Sequence, residues 1–414
     1  MKNLKNIIAL LILTAALAAC ADTGLVTTET SSSLTGSILI DAGGTYTIDE
    51  DINGSIVIDV SNDDTVELIL DGCSVTSADS AAIYVKNAGE VIITTTEGSV
   101  NTLSNTTGFE ADGDTNIDAV IFSKDDLTIG GSGTLIIESA DHGIVSKDDL
   151  LIEGSTITIS ASGDGCQANE ELIINGGTID ITSCVEGLEG NTVTVNDGEI
   201  TIVSSDDAIN ASGESGDTMA ADSTCSINLN GGIIAITTSG DGIDSNGDLT
   251  ITDGYITISG PENSGNGSID YAGTGTITGG TVIAAGMSGM EMNMSEATQG
   301  SILISVGTRS AGTSISVTDS SGSELINYTP DTSFSCLLIS SPDLSVGGTY
   351  TITTGGDSQD VTLNEYIYGE SSGFGGQMPQ GFDGQTPPDF DGQTPPDFDG
   401  QTPPDFEGQP PQPR

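Results

Sequence analysis

The sequence predicts an all-β protein built around a single-stranded parallel β-helix, with a small antiparallel β cap towards its C-terminal end. Three observations support this fold class. A unit of about 22 residues repeats through the centre of the chain, the unit contains only short strand-like runs, and small polar turns separate those runs. Self-similarity at a fixed period of this size is typical of a stacked repeat architecture.

The repeat is clearest between residues 118 and 259. The stretch Asp118–Ile129 returns as Asp141–Ile152 after a shift of 23 residues, and again as Gly163–Ile174 after a further 22. Looser copies begin near Val185, Asp206 and Gly240. Because one such unit cannot bury its apolar face alone, we expect its stability to come from stacking on neighbouring units.

Each unit has the pattern of strands. Its apolar runs are three to five residues long, rich in Ile, Val and Thr, and they alternate with a period of two. A propeller blade needs about 40 residues, and a leucine-rich repeat needs a Leu framework that is absent here. We therefore expect one β-helix coil per unit. Earlier in the chain, Val66–Leu70, Ala82–Val85 and Val91–Thr94 are interpreted as the three strands of one coil.

Charge and composition narrow the possible partners. The 414 residues include 61 Asp and Glu against 7 Lys and Arg, which gives a net charge of −54. Such a surface repels nucleic acid. Cations, or a ligand bridged through cations, are the natural partners, and we expect the protein to be a monomer.

The N-terminal residues predict export and a lipid anchor. Residues 1–19 have a basic start and an apolar run that is too short to span a membrane. The run ends in Leu17-Ala-Ala-Cys20, which resembles the lipobox of bacterial lipoproteins, in which the Cys is lipidated. We therefore expect lipidation at Cys20, a tether over residues 20–36, and a location on the extracellular face of the cytoplasmic membrane.

The remaining chain divides by pattern. Residues 37–301 are predicted as the β-helix and residues 302–368, with longer spaced strands, as the cap. Residues 369–414 repeat Phe-Asp-Gly-Gln-Thr-Pro-Pro-Asp and are predicted as an extended, disordered tail. Insertions at 105–116 and 212–224 are predicted as surface loops. The cysteines beyond Cys20 are odd in number and lack metal spacing, so we expect buried thiols with one disulfide left open: Cys73, Cys166, Cys184, Cys225 and Cys336.

Two acidic columns emerge when the coils are aligned. The first column reads His142, Asp164, Glu186, Asp207 and Asp241, and the second reads Val145, Gln167, Glu189, Asn210 and Asp244. Stacking would bring neighbouring carboxylates to roughly 5 Å, where like charges repel by about 3 kcal/mol at an effective dielectric near 20. Ca²⁺, which takes oxygen ligands, would reverse the sign of that energy. The predicted calcium ligands are Asp164, Glu186, Glu189, Asp207, Asn210, Asp241 and Asp244. The alternative is that these residues are solvated turn residues.

A third column carries the basic residues of the repeat. Lys124 and Lys147 precede the pairs Asp125-Asp126 and Asp148-Asp149, and Glu170-Glu171 follows in the next coil. The simpler interpretation is charge compensation of the acids by the two lysines. The alternative is that Lys124 and Lys147 are bases of a β-elimination beside calcium. We expect the single histidine, His142, to be a solvated turn residue. The sequence contains no Ser–His–Asp constellation.

Several motifs resemble a family of clostridial carbohydrate-binding β-helix proteins. They are the repeated Ser-Lys-Asp-Asp-Leu at 123–127 and 146–150, Val66–Gly72 with Ala81–Lys86, and Leu338–Leu344 with Gly348–Ile352. The resemblance extends over roughly residues 37–370. It implies a right-handed winding similar to that of pectate lyases, bound calcium, and affinity for cellulose or acid sugars without established catalysis.

The favoured function is therefore surface-anchored, non-catalytic binding of polysaccharide, either cellulose or a uronic-acid glycan bridged through Ca²⁺. The alternative is a calcium-dependent, pectate-type polysaccharide lyase, and a weaker alternative is a structural surface adhesin. The chain has no Trp, so few residues could stack on sugar rings. Tyr255 and Tyr271 are the candidate substrate-binding aromatics.

Overall fold

The protein is a parallel β-solenoid in the computed structural model, which describes residues 34–213 and 221–372. Within these ranges there are 39 strands, which we number β1 to β39 in chain order, and no helix. The described chain therefore offers no helical segment that is long and apolar enough to cross a membrane. The signal, Cys20 and the tail beyond residue 372 lie outside the described residues.

Three long sheets form the faces of the solenoid, and each coil adds one strand to each sheet. The first sheet contains β1 (Leu34–Thr35), β4 (Ile52–Asn53), β7 (Ser74–Thr76), β10 (Val100–Asn105), β13 (Thr134–Ser139), β16 (Thr156–Ser160), β19 (Thr178–Cys184), β22 (Glu199–Ser204), β25 (Ile233–Thr238), β28 (Tyr255–Ser259) and β31 (Thr281–Gly286), followed by β36 (Phe334–Ser341), β33 (Gly300–Arg309) and β39 (Ile367–Tyr368). The second contains β2 (Ile38–Ile40), β5 (Ile56–Asp59), β8 (Ile83–Asn87), β11 (Ala119–Ser123), β14 (His142–Ser146), β17 (Cys166–Ala168), β20 (Leu188–Gly190), β23 (Ile209–Ala211), β26 (Ile243–Ser245) and β29 (Asp270–Tyr271). The third contains β3 (Gly44–Ile48), β6 (Thr65–Leu70), β9 (Glu90–Thr95), β12 (Leu127–Gly131), β15 (Leu150–Ile152), β18 (Glu171–Ile174), β21 (Thr192–Val195), β24 (Ser226–Leu229), β27 (Asp248–Ile251), β30 (Gly275–Ile277) and β32 (Glu296–Ala297).

Alternation along each strand fills the interior with apolar side chains. In the second sheet, Ile144, Cys166, Leu188 and Ile209 are partners on successive strands, and all four are fully buried. The predicted alignment of Cys166 with Ile144 and Leu188 is thereby confirmed. Such ladders stack one coil on the next at the strand spacing of about 4.8 Å. The apolar core is consequently continuous along the solenoid.

The assignment of the early coil is wrong in one respect. Val66–Leu70 and Val91–Thr94 belong to β6 and β9, which pair in the third sheet with Val66 beside Val91. They are therefore equivalent strands of two successive coils. The strand that the sequence interpretation missed is β7, whose three residues are too short a run to be recognised as a strand from the sequence.

The chain changes to antiparallel pairing after β32. Strand β36 lies between β31 and β33 and is antiparallel to both. A separate four-stranded antiparallel sheet contains β34 (Ile315–Asp319), β35 (Glu324–Tyr328), β37 (Thr349–Thr354) and β38 (Asp357–Thr362). This region has its own apolar core around Phe334, Leu337 and Ile352. That it serves as a cap remains a prediction.

The five cysteines of the described ranges are all buried, and none forms a disulfide there. Burial raises the pKa of Cys73, Cys166, Cys184 and Cys336 to about 12. These thiols therefore behave as apolar core groups rather than as nucleophiles.

Candidate functional site

The outer face of the second sheet carries one continuous column of side chains. Its members are register partners on successive strands: Leu39, Val57, Tyr84, Phe122, Val145, Gln167, Glu189, Asn210, Asp244 and Asp270. The first five residues are apolar or aromatic and the last five are polar or acidic. The alignment of the second predicted column, from Val145 to Asp244, is thus confirmed strand by strand.

The apolar half of this column is covered. Tyr84 and Phe122 pack edge to face, with ring centroids 5.9 Å apart, and both belong to an apolar cluster that includes Ile117. Phe109 packs against the same cluster. The insertion at 105–116 is therefore more than the surface loop predicted from sequence, because its Phe109 helps to cover these rings. What remains open on this face is the polar half.

The first predicted column lies at the turn that leads into the second sheet, and its acids hydrogen-bond to the coil that follows. Asp164 Oδ1 accepts from the backbone N–H of Glu186 at 2.9 Å, and Asp207 Oδ1 accepts from that of Asp241 at 2.7 Å. Asp241 Oδ1 accepts from Gly267 N–H at 2.5 Å. These residues are buried or half-buried, so the alternative of freely solvated turn residues is wrong for them. Each of these bonds leaves the second carboxylate oxygen for another partner.

Close backbone approach explains the small residues that follow the acids. A Cβ at Gly165 would lie 2.7 Å from the carbonyl oxygen of Gly187 in the next coil. Real Cβ atoms do not tolerate that distance from backbone. The glycine therefore lets adjacent turns stack tightly, which brings the acids before it close together.

Three of the seven predicted metal ligands converge. Asp207, Asp241 and Asp244 each offer a carboxylate oxygen, and these oxygens lie within 4.8 Å of one another. All three side chains are half-buried. Like charges at this distance repel by roughly 3 kcal/mol per pair at an effective dielectric near 20. We call this group the triad.

Burial and mutual repulsion shift the acids of the triad strongly. Burial, with neighbouring carboxylates adding to it, raises the pKa of Asp241 to about 8 and that of Asp244 to about 7. Burial likewise raises the pKa of Asp207 to about 6, against the opposing hydrogen bond from Asp241 N–H. Without a cation, the folded protein therefore disfavours three charges in this place.

Two further predicted ligands flank the triad. Asn210 is the register partner of Asp244 and is only 7% exposed. Its Nδ2 donates to Glu186 Oε2 at 2.8 Å, whereas its Oδ1 is buried and has no hydrogen-bond partner among the described residues. Burial, with Glu189 and Asp164 adding to it, raises the pKa of Glu186 to about 8 although the Asn210 bond opposes this shift. A buried amide oxygen without a donor is costly, and a cation would satisfy it.

Asp164 and Glu189 stand apart from the triad. Asp164 is 8% exposed, and its Oδ2 lies 2.9 Å from Nδ1 of His142. Both Glu189 oxygens accept hydrogen bonds, Oε2 from Gln167 and Oε1 from Ser212. Their assignment as ligands of the same ion as the triad is therefore not supported, because their oxygens already have partners in earlier coils.

His142 is not the solvated residue that the sequence suggested. Its Nδ1 lies 2.9 Å from both the backbone N and Oδ2 of Asp164, and its Nε2 lies 3.6 Å from Asp141 Oδ1. Nδ1 accepts from the N–H in one protonation state and donates to the carboxylate in the other. Burial opposes the imidazolium, but the hydrogen bond and charge of Asp164 outweigh it and raise the pKa of His142.

The column from Asp125 to Glu171 forms a second acidic group on the surface. Asp126, Asp148 and Asp149 have oxygens within 4.8 Å of one another, at the turn from the second sheet to the third. Burial and then the neighbouring carboxylates raise the pKa of Asp148. No buried unpartnered oxygen accompanies this group among the described residues.

The two lysines do not compensate these acids by direct ion pairs. No carboxylate of the described ranges lies within 4.0 Å of Lys124 or Lys147, although Lys86 pairs with Asp112 at 3.1 Å and Arg309 with Asp357 at 2.9 Å. The Lys147 ammonium instead lies 5.5 Å from the centroid of the Phe122 ring. Four strand steps separate β14, which Lys147 follows, from the strand of Asp244, or roughly 19 Å at the usual spacing. A base must act within hydrogen-bond reach, so this geometry argues against either lysine as an elimination base beside the triad.

The two tyrosines lie in different environments, and neither belongs to the column. Tyr255 is 42% exposed on the outer face of the first sheet, beside Ile233. Tyr271 is 4% exposed, packs in the solenoid core, and donates its hydroxyl to the Asn293 carbonyl at 2.6 Å. The prediction of Tyr271 as a substrate-binding residue is wrong, because its ring is inside the core.

Sequence reasoning missed Asp270. It continues the column one strand beyond Asp244 and is half-buried, and burial raises its pKa. The signal was weak, because Asp270 follows Asp244 by 26 residues rather than by the usual 22. The irregular segment between β28 and β29 breaks the period there.

Comparison with known proteins identifies the N-terminal half of this architecture. Residues 35–216 match the family model for carbohydrate-binding domain-containing proteins. A protein of that description from Acetivibrio thermocellus is 38% identical over 97 residues, which are 23% of this chain. The matched part spans 34% of the length of that curated relative. The family match includes Asp207 and Asn210 and ends before Asp241 and Asp244.

A solved structure is also similar to this chain. It is that of a polysaccharide lyase-like protein from C. thermocellum, determined as a gadolinium derivative. The match has a TM-score of 0.40 and 25% sequence identity, and it covers 63% of this chain and 89% of that one.

Proposed function

We propose that this protein binds polysaccharide without cleaving it, and that Ca²⁺ held by the triad and Asn210 binds the carboxylates of an acidic glycan. The observation that carries the proposal is the convergence of Asp207, Asp241 and Asp244 beside the buried, unpartnered Oδ1 of Asn210. The family match over residues 35–216 supports carbohydrate as the ligand class.

The donor set fits calcium. All candidate donors are carboxylate or amide oxygens, the ligands that Ca²⁺ takes in groups of six to eight. Asp207 and Asp241 each have one oxygen bound to a backbone N–H, so each has one free oxygen to give. Four protein oxygens leave coordination positions for a ligand. Bound Ca²⁺ would supply a fixed positive charge that a uronate carboxylate can share, and it would remove the repulsion among the three acids.

The absence of a base near the triad supports binding rather than elimination. The described part of the chain contains four basic residues, and two of them, Lys86 and Arg309, are ion-paired. Lys124 and Lys147 lie several coils from Asp244. The lyase therefore remains an alternative to be tested, and a structural adhesin is the outcome if no glycan binds.

The decisive experiment measures retention on immobilised polygalacturonate in Ca²⁺ and in chelator, together with ultraviolet absorbance of unsaturated products. We expect retention in Ca²⁺, release by chelator, and no products. Asp244→Asn should abolish retention, because it removes the one triad acid without a hydrogen bond to another described residue. Glu199→Gln, which removes an exposed acid from the first sheet, should not. Unsaturated products would establish the lyase, and no retention in either condition would favour the adhesin.

The setting of the site is part of the same proposal. Cys20 at the end of the apolar run supports lipid anchoring on the extracellular face of the cytoplasmic membrane. We also infer a right-handed winding and a capping role for the strands after β32. The pairing of β36 with β31 supports the cap, because β36 occupies a sheet edge that would otherwise be free to pair with another chain.

A further inference from the structure

A polar groove lies beside the acidic column, on the side of the third sheet. It has a volume of about 490 Å³ and is built from three successive coils. Lys147 comes from the first of these coils, Gln167, Asn169 and Glu170 from the second, and Glu189 and Asn191 from the third. A volume of this size is typical of sites for small molecules. None of these residues except Glu189 was a candidate calcium ligand.

The base of the groove is a fixed hydrogen-bonded network. Glu189 accepts from Gln167 Nε2 at 2.5 Å and from Ser212 Oγ at 3.1 Å, through different oxygens. A carboxylate has about four lone-pair sites, so Glu189 keeps acceptor capacity for a ligand. The network holds the carboxylate in one orientation.

The remaining polar groups of the groove are free to bind. Within residues 34–213 and 221–372, the side chains of Lys147, Asn169 and Asn191 make no hydrogen bond or ion pair. The Lys147 ammonium is placed over the buried ring of Phe122, 5.5 Å from its centroid. This contact orients a donor without using its hydrogen atoms.

The chemistry of the lining favours a neutral ligand with many hydroxyl groups. Donors come from one ammonium and several amides, and acceptors come from Glu170 and Glu189. Two carboxylates against one ammonium give no preference for an anion. A sugar hydroxyl both donates and accepts, so it can pair with both kinds of group.

We infer that this groove is a second glycan subsite, which binds a neutral sugar segment without metal. Lys147, Asn169 and Asn191 donate to sugar hydroxyls, and Glu189 accepts from them. The subsite is distinct from the triad, which takes acidic sugars through Ca²⁺. The inference rests on the proposed carbohydrate-binding function, but it uses different residues and has a different dependence on metal.

The test is titration calorimetry of the full chain with neutral hexasaccharides of glucose, xylose and mannose, in Ca²⁺ and in chelator. We expect at least one neutral hexasaccharide to bind equally well in both conditions. Lys147→Gln and Asn169→Ala should each weaken that binding by about five- to tenfold, the size expected for one lost hydrogen bond. Thermal unfolding checks that each variant is folded.

Matched variants separate this subsite from its surroundings. Lys124→Gln makes the same change one coil earlier, at an exposed residue outside the groove, and should leave neutral binding unchanged. Asp244→Asn should abolish calcium-dependent retention on polygalacturonate and leave neutral binding intact.

Three results would overturn the inference. They are failure of all three neutral sugars to bind, loss of neutral binding in chelator, or equal effects of Lys147→Gln and Lys124→Gln. If polygalacturonate still binds in Ca²⁺ in any of these cases, the proposed function stands while the groove is rejected. If no glycan of either kind binds, both are rejected.

Discussion

Asn210 and Asp244 are register partners on adjacent strands of the second sheet, and the side-chain oxygen of Asn210 is buried without a hydrogen-bond donor. Glu186 takes the amide hydrogen of Asn210, so the amide presents its oxygen rather than its nitrogen to the acidic column. A residue placed only to relieve repulsion among carboxylates would donate to them on both sides. The orientation suits a cation that the oxygen can bind.

Replacing this amide tests its role directly. Asn210→Leu removes the oxygen and is expected to weaken calcium affinity about tenfold or more, the scale seen when support of a metal site is lost. Calcium titration followed by thermal unfolding measures the effect. A site saturated at 100 times its Kd stabilises the fold by about 2.7 kcal/mol, and this gain should shrink in the variant. Asn228→Leu, at a half-buried position in the third sheet, is the control. Equal calcium responses in both variants would contradict the assignment.

The metal-free protein should lose stability as pH rises. In the folded state the pKa values of Asp207, Asp244 and Asp241 are raised to about 6, 7 and 8, whereas an unfolded Asp titrates near 4. Between about pH 4 and pH 8 the folded protein therefore binds more protons than the unfolded chain. The resulting stabilisation is complete below the unfolded pKa and is lost as pH rises through the folded values.

Thermal unfolding in chelator across this pH range measures the trend. Asp241→Asn should flatten the profile, because it removes the most strongly shifted acid of the triad. Saturating Ca²⁺ should flatten or reverse it, because the ion binds the charged carboxylates. A chelator profile that is already flat would show that these acids are not coupled to folding.

Tyr271 is expected to matter for stability and not for ligand. Tyr271→Phe leaves the buried carbonyl of Asn293 without its donor and should cost about 1–3 kcal/mol of unfolding free energy. Tyr255→Phe removes an exposed hydroxyl and should cost almost nothing. Denaturant unfolding compares the pair. Retention on polygalacturonate should be unchanged in folded Tyr271→Phe, and a selective loss of binding there would restore its predicted role.

Cys20 is expected to decide where the protein resides in the cell. Cys20→Ala removes the only thiol that the predicted lipobox offers for lipidation. The wild-type protein should partition into detergent and carry fatty acyl mass on its N-terminal peptide, whereas the variant should do neither. Cys73→Ala, at a buried core position, is the control for loss of a cysteine. Equal partitioning of the two variants would exclude the anchor.

Much of the site could be aligned from sequence because the repeat is regular there. From Val145 to Asp244 each strand of the second sheet offers one outward position per coil, so a constant period translates directly into register. The alignment did not reach Asp270, where the period lengthens. It also treated Asp164 and Glu189 as equivalent to Asp241, because a column contains no information on which oxygens already have partners.

The amino-acid sequence alone determined the all-β solenoid, its column of acids, and the stacking of Ile144, Cys166 and Leu188 inside. It could do so because strand alternation and a fixed repeat are local properties that recur along the chain. Only the tertiary structure decided that Tyr271 is buried, that Phe109 covers aromatic rings, and that three carboxylates converge beside an unpaired amide. Those outcomes depend on how side chains from separate coils and loops meet in space, and no periodicity records such contacts.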